Sequence, residues 1–414
     1  MAMRPRLNNT EQVDPLFVGD VRAGLIYFAE HGVRARTCIT SPPYWGLRDY
    51  GTAEWEGGNP KCKHEGKEVR RGAGNFSNAG QAVRSGDCRK CGATRVDRQI
   101  GLERTPEDYV ATLVDVFRRV REVLADDGTV WLNLGDTYSG PGGYSPEAPS
   151  NVAGSLQATR HGHGKTGDGA ALQGIRGASG LPSKNLIGIP WRVAFALQAD
   201  GWYLRSDIIW SKPQTMPESI TDRPTKAHEY LFLLTKSPRY YYNADAIKEP
   251  AVSGPTTGVR DRATEAALDE MAAAKAAKHP KHRKPNKGAL TGDRHFATRG
   301  GLHKHEGGFN RNKRTVWEVN PEIESGLNHF AIMPKALVEP CILAGSALGD
   351  IVLDPFMGSG TVARVANLLG RKWIGCELNP DYAAIIRQRE RPKDFREAQL
   401  WQHAAAGYAI AQRK

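Results

Sequence analysis

Apolar positions recur along this chain at two spacings, and their alternation marks out an α/β protein. Short apolar runs bounded by turn residues predict buried strands at 35–40 (ARTCIT), 129–135 (TVWLNLG), 202–212, 228–237, 349–356 and 371–378. Between them, apolar residues at helical spacing predict helices over 21–32, 105–124, 189–201, 361–370 and 379–390. In the second of these, Val110, Leu113, Val114, Phe117, Val120 and Leu124 form one face. Its start carries Thr105-Pro106-Glu107, which supplies an N-cap, a first-turn proline and an early acid. Asp126-Asp127-Gly128 is expected to turn the chain into the next strand. Regular structure is thus predicted in four blocks, 14–56, 105–135, 186–250 and 316–395. Three stretches without a core pattern separate them: 57–100, 139–185 and 251–315.

Composition narrows the class. A chain of 414 residues with 40% hydrophobic and 25% charged content is a globular protein long enough to bury its own core. No signal-peptide core opens it and no apolar run reaches membrane-spanning length, so a soluble cytoplasmic protein is expected. The net charge is +12, with an excess of Lys and Arg in 251–315 beside His279, His282, His295, His303 and His305. That excess suits a polyanion partner, and 251–315 is the expected DNA-contacting or target-recognition region. Six cysteines are too few for a secreted disulfide scaffold.

Two motifs carry chemistry. Asp354-Pro355-Phe356-Met357-Gly358-Ser359-Gly360-Thr361 joins a predicted strand to a predicted helix. Glycines there allow a tight turn and close ligand approach, and a helix start offers free N–H groups. Glu377 ends the next strand, where an acid reaches ribose hydroxyls in doubly wound nucleoside sites. The second motif, Ser41-Pro42-Pro43-Tyr44, follows the 35–40 strand. Two prolines make it rigid and remove two N–H donors. Such a segment suits a planar, amine-bearing ligand: a flipped base stacked on Tyr44, its NH₂ donating to the Ser41 side chain and the Pro42 carbonyl.

The pair resembles the β-group amino-methylating DNA methyltransferases, with the catalytic motif first and the cofactor motif last. The resemblance implies an α/β, Rossmann-like methyltransferase fold of circularly permuted motif order: a mostly parallel seven-stranded sheet, flanking helices and an antiparallel hairpin at one edge. It implies S-adenosyl-L-methionine as cofactor, held by Asp354, Phe356, Gly358, Ser359, Gly360 and Thr361, with Glu377 on the ribose and Asp20 near the adenine. Asn328-His329-Phe330 through Pro334-Lys335 resembles the segment near the methionine tail. Ser41, Pro42, Pro43 and Tyr44 match the catalytic motif. Serine at its first position is typical of cytosine-N4 members, so N4-methylation of cytosine in double-stranded DNA is expected. Adenine N6 is the alternative, followed by an RNA N-methyltransferase or a catalytically silent DNA-binding protein. A cognate restriction endonuclease is a companion that the resemblance admits.

Cysteines add one more expectation. Cys88-x-x-Cys91-Gly92 is a zinc-knuckle half-site, and Cys62-x-His64 is a second, tighter half. Together they predict a structural Zn²⁺ in 57–100. Cys38 and Cys376 fall in strands and Cys341 in an apolar run, so these three are expected in the core. Trp210 to Pro213, Asp222 to Thr225 and His228 to Tyr230 are candidates for the DNA side of the pocket, and Tyr240-Tyr241-Tyr242 is expected on a strand.

Overall fold

The computed structural model describes residues 13–48, 50, 52–64, 88, 90–140, 179–215, 217–251, 303–305, 308–322 and 333–389. Much of the expected polar stretches, and Asn328-His329-Phe330, lie outside them. The first elements are β1 (Leu16–Val18), α1 (Val21–Glu30), β2 (Ala35–Thr40), β3 (Glu54–Glu56) and β4 (Thr94–Val96). Next come α2 (Pro106–Val123), β5 (Leu124–Leu134), α3 (Ile189–Ala199), β6 (Tyr203–Ser211) and β7 (His228–Thr235). Then follow β8 (Glu249–Pro250), β9 (His303–His305), β10 (Gly308–Arg311), β11 (Val316–Glu318) and α4 (Lys335–Gly345). The last are β12 (Ile351–Asp354), α5 (Thr361–Leu368), β13 (Lys372–Glu377) and α6 (Pro380–Arg389).

The main sheet has eight strands in the order β1-β13-β12-β2-β5-β7-β6-β11. Pairing is parallel from β1 through to β5 and antiparallel on both sides of β7. This is the mostly parallel sheet expected, with one strand more than seven, since β11 pairs parallel with β6 at the edge. The period of two along a strand divides the core. Val130, Leu132 and Leu134 of β5 pack with the α1–α2–α3 layer. Trp131, between them, meets Tyr242 and Trp317.

Helix α2 forms because its start is capped and its inner face is apolar. Thr105 Oγ1 accepts from Asp108 N–H at 3.1 Å, with Pro106, Glu107 and Asp108 in the first turn. Tyr109, Leu113, Val116, Phe117, Val120 and Val123 are buried. The expected face is therefore rotated slightly: Val110 and Val114 are only half-buried, and Leu124 already belongs to β5.

Three local expectations change. Asp126-Asp127-Gly128 turns the chain as a bulge inside β5, because Leu124 pairs Ala35 while Thr129 pairs Thr37. Tyr240–Tyr242 form no strand; Tyr241 N–H instead donates to the Asp127 carbonyl at 2.8 Å. Helix α4 was hidden by Pro340 inside it.

Residues 244–314 separate as a second unit, in which β8, β10 and β9 pair antiparallel. Within it Arg311 and Arg314 both donate to the Glu249 carboxylate, at 2.9 and 2.6 Å. No helix among the described residues is long and apolar enough to cross a membrane.

Candidate active site

Brought together by strand order, the two motifs form one cavity. Strands β2 and β12 are parallel neighbours, with Val352 opposite Thr37 and Leu353 opposite Cys38. Their C-terminal ends therefore emerge side by side, which is where open α/β sheets bind ligands. Thr40 Oγ1 donates to Asp354 Oδ1 at 2.7 Å, joining the residues that introduce each motif. A cavity of about 520 Å³ opens there, lined by Asp20, Ser41, Pro42, Pro43, Tyr44, Asp354, Phe356, Gly358, Ser359, Thr361 and Glu377. Gly360 is the exception among the expected cofactor residues. Its φ of +79° makes it the left-handed N-cap of α5, and a side chain there would meet Ile386 rather than the cavity.

The end of the cavity that carries the glycine turn is built from three strand termini. Val18 pairs Glu377, and Gly19 N–H donates to the Glu377 carbonyl at 2.8 Å, so Asp20 lies beside the β13 terminus. Asp20 caps α1 through Arg22 N–H at 2.8 Å. Both Glu377 oxygens are held by backbone, Oε2 by Gly358 N–H and Oε1 by Asn379 N–H, each at 2.8 Å. Burial nevertheless raises Glu377 to about 7, with Asp354 adding repulsion. Asp354 is raised to about 7 by burial against the opposing pull of Thr40 and of Phe356 N–H. Thr361 lines the cavity, and its Oγ1 is buried without a protein hydrogen-bond partner.

At the Ser41–Tyr44 end of the cavity, the Tyr44 hydroxyl is engaged by its neighbours. Tyr44 is half-buried, and a Cβ on Gly135 would stand 2.5 Å from its ring edge. The Tyr44 hydroxyl donates to Glu229 Oε2 at 2.7 Å, lies 2.9 Å from Asn133 Oδ1, and accepts from Ser41 Oγ at 3.2 Å. Burial and the Glu229 carboxylate push the phenol well above its ordinary range. Glu229 pairs with Lys212, whose ammonium stands 4.1 Å from the Trp210 ring centroid. Pro43 is not a spare acceptor, because its carbonyl receives the Tyr109 hydroxyl at 2.9 Å.

Of the three candidate segments, Trp210, Lys212, His228 and Glu229 line the cavity, whereas Asp222 to Thr225 do not. Antiparallel to both of its neighbours, β7 begins at the edge where β5 and β6 end. Asn133, Asp136 and Lys226 also line the cavity and were not anticipated. Asn133 had a signal, a polar residue in an apolar strand; it is buried and donates to the Tyr230 carbonyl at 3.1 Å. Asp136 accepts from Gly188 and Ile189 N–H at 3.0 Å, capping α3 from a distant strand end. Lys226 donates to the Asp136 carbonyl at 2.8 Å, and burial lowers its pKa.

The expected metal residues also meet. Donor atoms of Cys62, His64, Cys88 and Cys91 all lie within 4.8 Å of one another, in the connection between β3 and β4. None of the four lines the cavity.

Comparison with known proteins decides the family. The family model described as DNA methylase, of the N6/N4 methyltransferase type, matches residues 35–388. The chain belongs to this family. It is an S-adenosyl-L-methionine-dependent DNA methyltransferase of the N4-cytosine or N6-adenine type. It is 37% identical over 380 residues to the Type II methyltransferase M.Cfr9I of Citrobacter freundii, covering 92% of this chain and 88% of that one. It is also 37% identical over 351 residues to M.SmaI of Serratia marcescens, covering 85% and 82%. Among solved structures, the cytosine-N4-specific PvuII DNA methyltransferase aligns with 95% of this chain and 92% of its own, at 14% identity and TM-score 0.46.

Proposed function

We propose that this methyltransferase transfers a methyl group to the exocyclic N4 of a cytosine flipped out of double-stranded DNA. The observation that carries the reading is the Thr40–Asp354 bond at 2.7 Å, which sets the Ser41–Tyr44 segment and the glycine turn on two sides of one cavity.

The residues present fit the cofactor. The cavity volume is within the range of small-molecule sites. Thr361 lines the cavity, and its Oγ1 is buried with no hydrogen-bond partner, which leaves room for a polar contact there. Gly358, Ser359, Thr361, Glu377 and Asp20 line the cavity, and in this reading Glu377 takes the ribose diol and Asp20 the adenine. When bound, S-adenosyl-L-methionine supplies an electrophilic methyl on a cationic sulfur.

The chain's own part is positioning and electrostatics. Ser41 Oγ, already donating to Tyr44, keeps lone pairs for one amine hydrogen, and the Pro42 carbonyl takes the other. Two such bonds leave the nitrogen lone pair directed at the methyl carbon. Asn133 and Glu229, the latter paired with Lys212, hold the Tyr44 hydroxyl and so fix the segment that receives the base. Extruding the base costs a few kcal/mol, repaid by contacts in the cavity. The basic stretch 251–315 is assigned to phosphate contacts and target recognition. Serine at position 41 favours cytosine over adenine. No observation favours an RNA substrate or a silent module.

The test is nucleoside mass spectrometry on DNA from expressing cells. N4-methylcytosine is the expected product. N6-methyladenine instead would overturn the base assignment alone, and neither product would overturn the reading.

A further inference from the structure

Outside the cavity, the most organised chemistry is the cluster between β3 and β4. Zn²⁺ takes thiolates at about 2.3 Å and imidazoles at about 2.0–2.1 Å in a tetrahedron. Those lengths place two sulfurs about 3.8 Å apart, and a sulfur and a nitrogen about 3.6 Å apart. Cys62 Sγ and Cys88 Sγ stand 3.9 Å apart, and Cys91 Sγ and His64 Nδ1 3.3 Å. A disulfide requires about 2.05 Å, so the sulfurs are spaced for an ion and not for each other.

The surrounding backbone fits the same purpose. Cys88 N–H donates to the Ala93 carbonyl at 2.6 Å, and Gly92 N–H to the Cys88 carbonyl at 2.8 Å, closing the Cys-x-x-Cys turn. On the other limb, a Cβ at Gly58 would stand 2.8 Å from Cys91 Sγ, so the chain approaches as closely as bare backbone allows. Trp55 of β3 stacks on His64, with 5.1 Å between ring centroids. Strands β3 and β4 have three residues each, too little for a hairpin to hold itself closed.

The feet of this hairpin stand in the cavity wall. Thr52, before β3, and Arg98, Gln99 and Ile100, after β4, line the cavity. Gln99 accepts from Tyr50 N–H at 2.7 Å and donates to the Arg48 carbonyl at 2.8 Å. Gly46 N–H donates to the Gly101 carbonyl at 2.8 Å. The hairpin base is thereby stitched to the loop that carries Tyr44.

We propose that Cys62, His64, Cys88 and Cys91 bind one structural Zn²⁺, and that this ion, by closing the hairpin, holds Arg98–Ile100 in place as a wall of the cavity. On binding, the three thiols release their protons to solvent, and three thiolates and one neutral imidazole remain on the ion.

The test uses the full chain, purified without a metal-affinity tag. Elemental analysis is expected to find one zinc per chain, lost in the double variant Cys88→Ser/Cys91→Ser. Exchange of Co²⁺ into the unaltered chain is expected to give the visible spectrum of tetrahedral thiolate cobalt, a readout independent of whether any variant folds. Hydrogen exchange then tests the wall. Amides at 46–48 and 98–101 are expected to exchange several-fold faster after a chelator removes the ion. An unaltered chain that holds no zinc and gives no cobalt spectrum would overturn the site. Zinc present, with exchange at 98–101 unchanged by its removal, would overturn its role in the wall.

Discussion

Asp354 and Glu377 show at the residue scale how burial sets a pH response. Both stand at about 7, well above ordinary carboxyls. The folded chain therefore holds protons that the unfolded chain has released, and without ligand its stability should fall as pH rises from about 4 to about 7. A cationic cofactor favours the ionised carboxylates, so its binding should release protons and tighten as pH rises from about 6 to about 8. Calorimetry in two buffers of different ionisation heat measures the release; binding with no proton release would sink the assignment. Tyr44 provides the second test. Tyr44→Phe keeps the ring but removes the hydroxyl shared with Glu229, Asn133 and Ser41. A lost bond to a charged group is worth about 1.5–3 kcal/mol, so kcat should drop by roughly tenfold or more. Cofactor affinity should stay within about twofold, and unchanged kcat would remove the hydroxyl from the positioning network.

At the scale of elements, helix and strand periods were legible wherever one face meets the core. Thr105→Ala removes the α2 cap and should cost about 1 kcal/mol in denaturant unfolding. Cofactor affinity should not change, because Thr105 does not line the cavity. What the periods did not convey came from long-range pairing. Opposite the β5 bulge, Arg36 pairs with Asp127 and with Asp350. Helix α4 tolerates Pro340 because its burial is extensive, with Leu337, Val338, Cys341, Ile342 and Leu343 all in the core. Burial here outweighs a lost backbone bond and a poor propensity.

Across the whole molecule, strand order decides the function. Serine 41 and Asp354 are far apart in sequence, yet β2 and β12 are neighbours and Thr40 reaches Asp354. The two antiparallel joints around β7 bring Glu229 and Lys212 to that same edge, although neither belongs to a recognisable motif. The sequence by itself determined the α/β class, the two motifs, the acid at Glu377 and the four candidate metal ligands. Those depend on local spacing, turn chemistry and residue type, which a linear chain carries. Tertiary structure alone decided that Asn133, Asp136 and Lys226 share the cavity, that Gly360 caps the next helix with its Cβ position toward Ile386, and that the Tyr44 hydroxyl donates to Glu229. Those facts depend on which strands lie side by side and on how deeply each polar group is buried, and both arise only when distant segments pack.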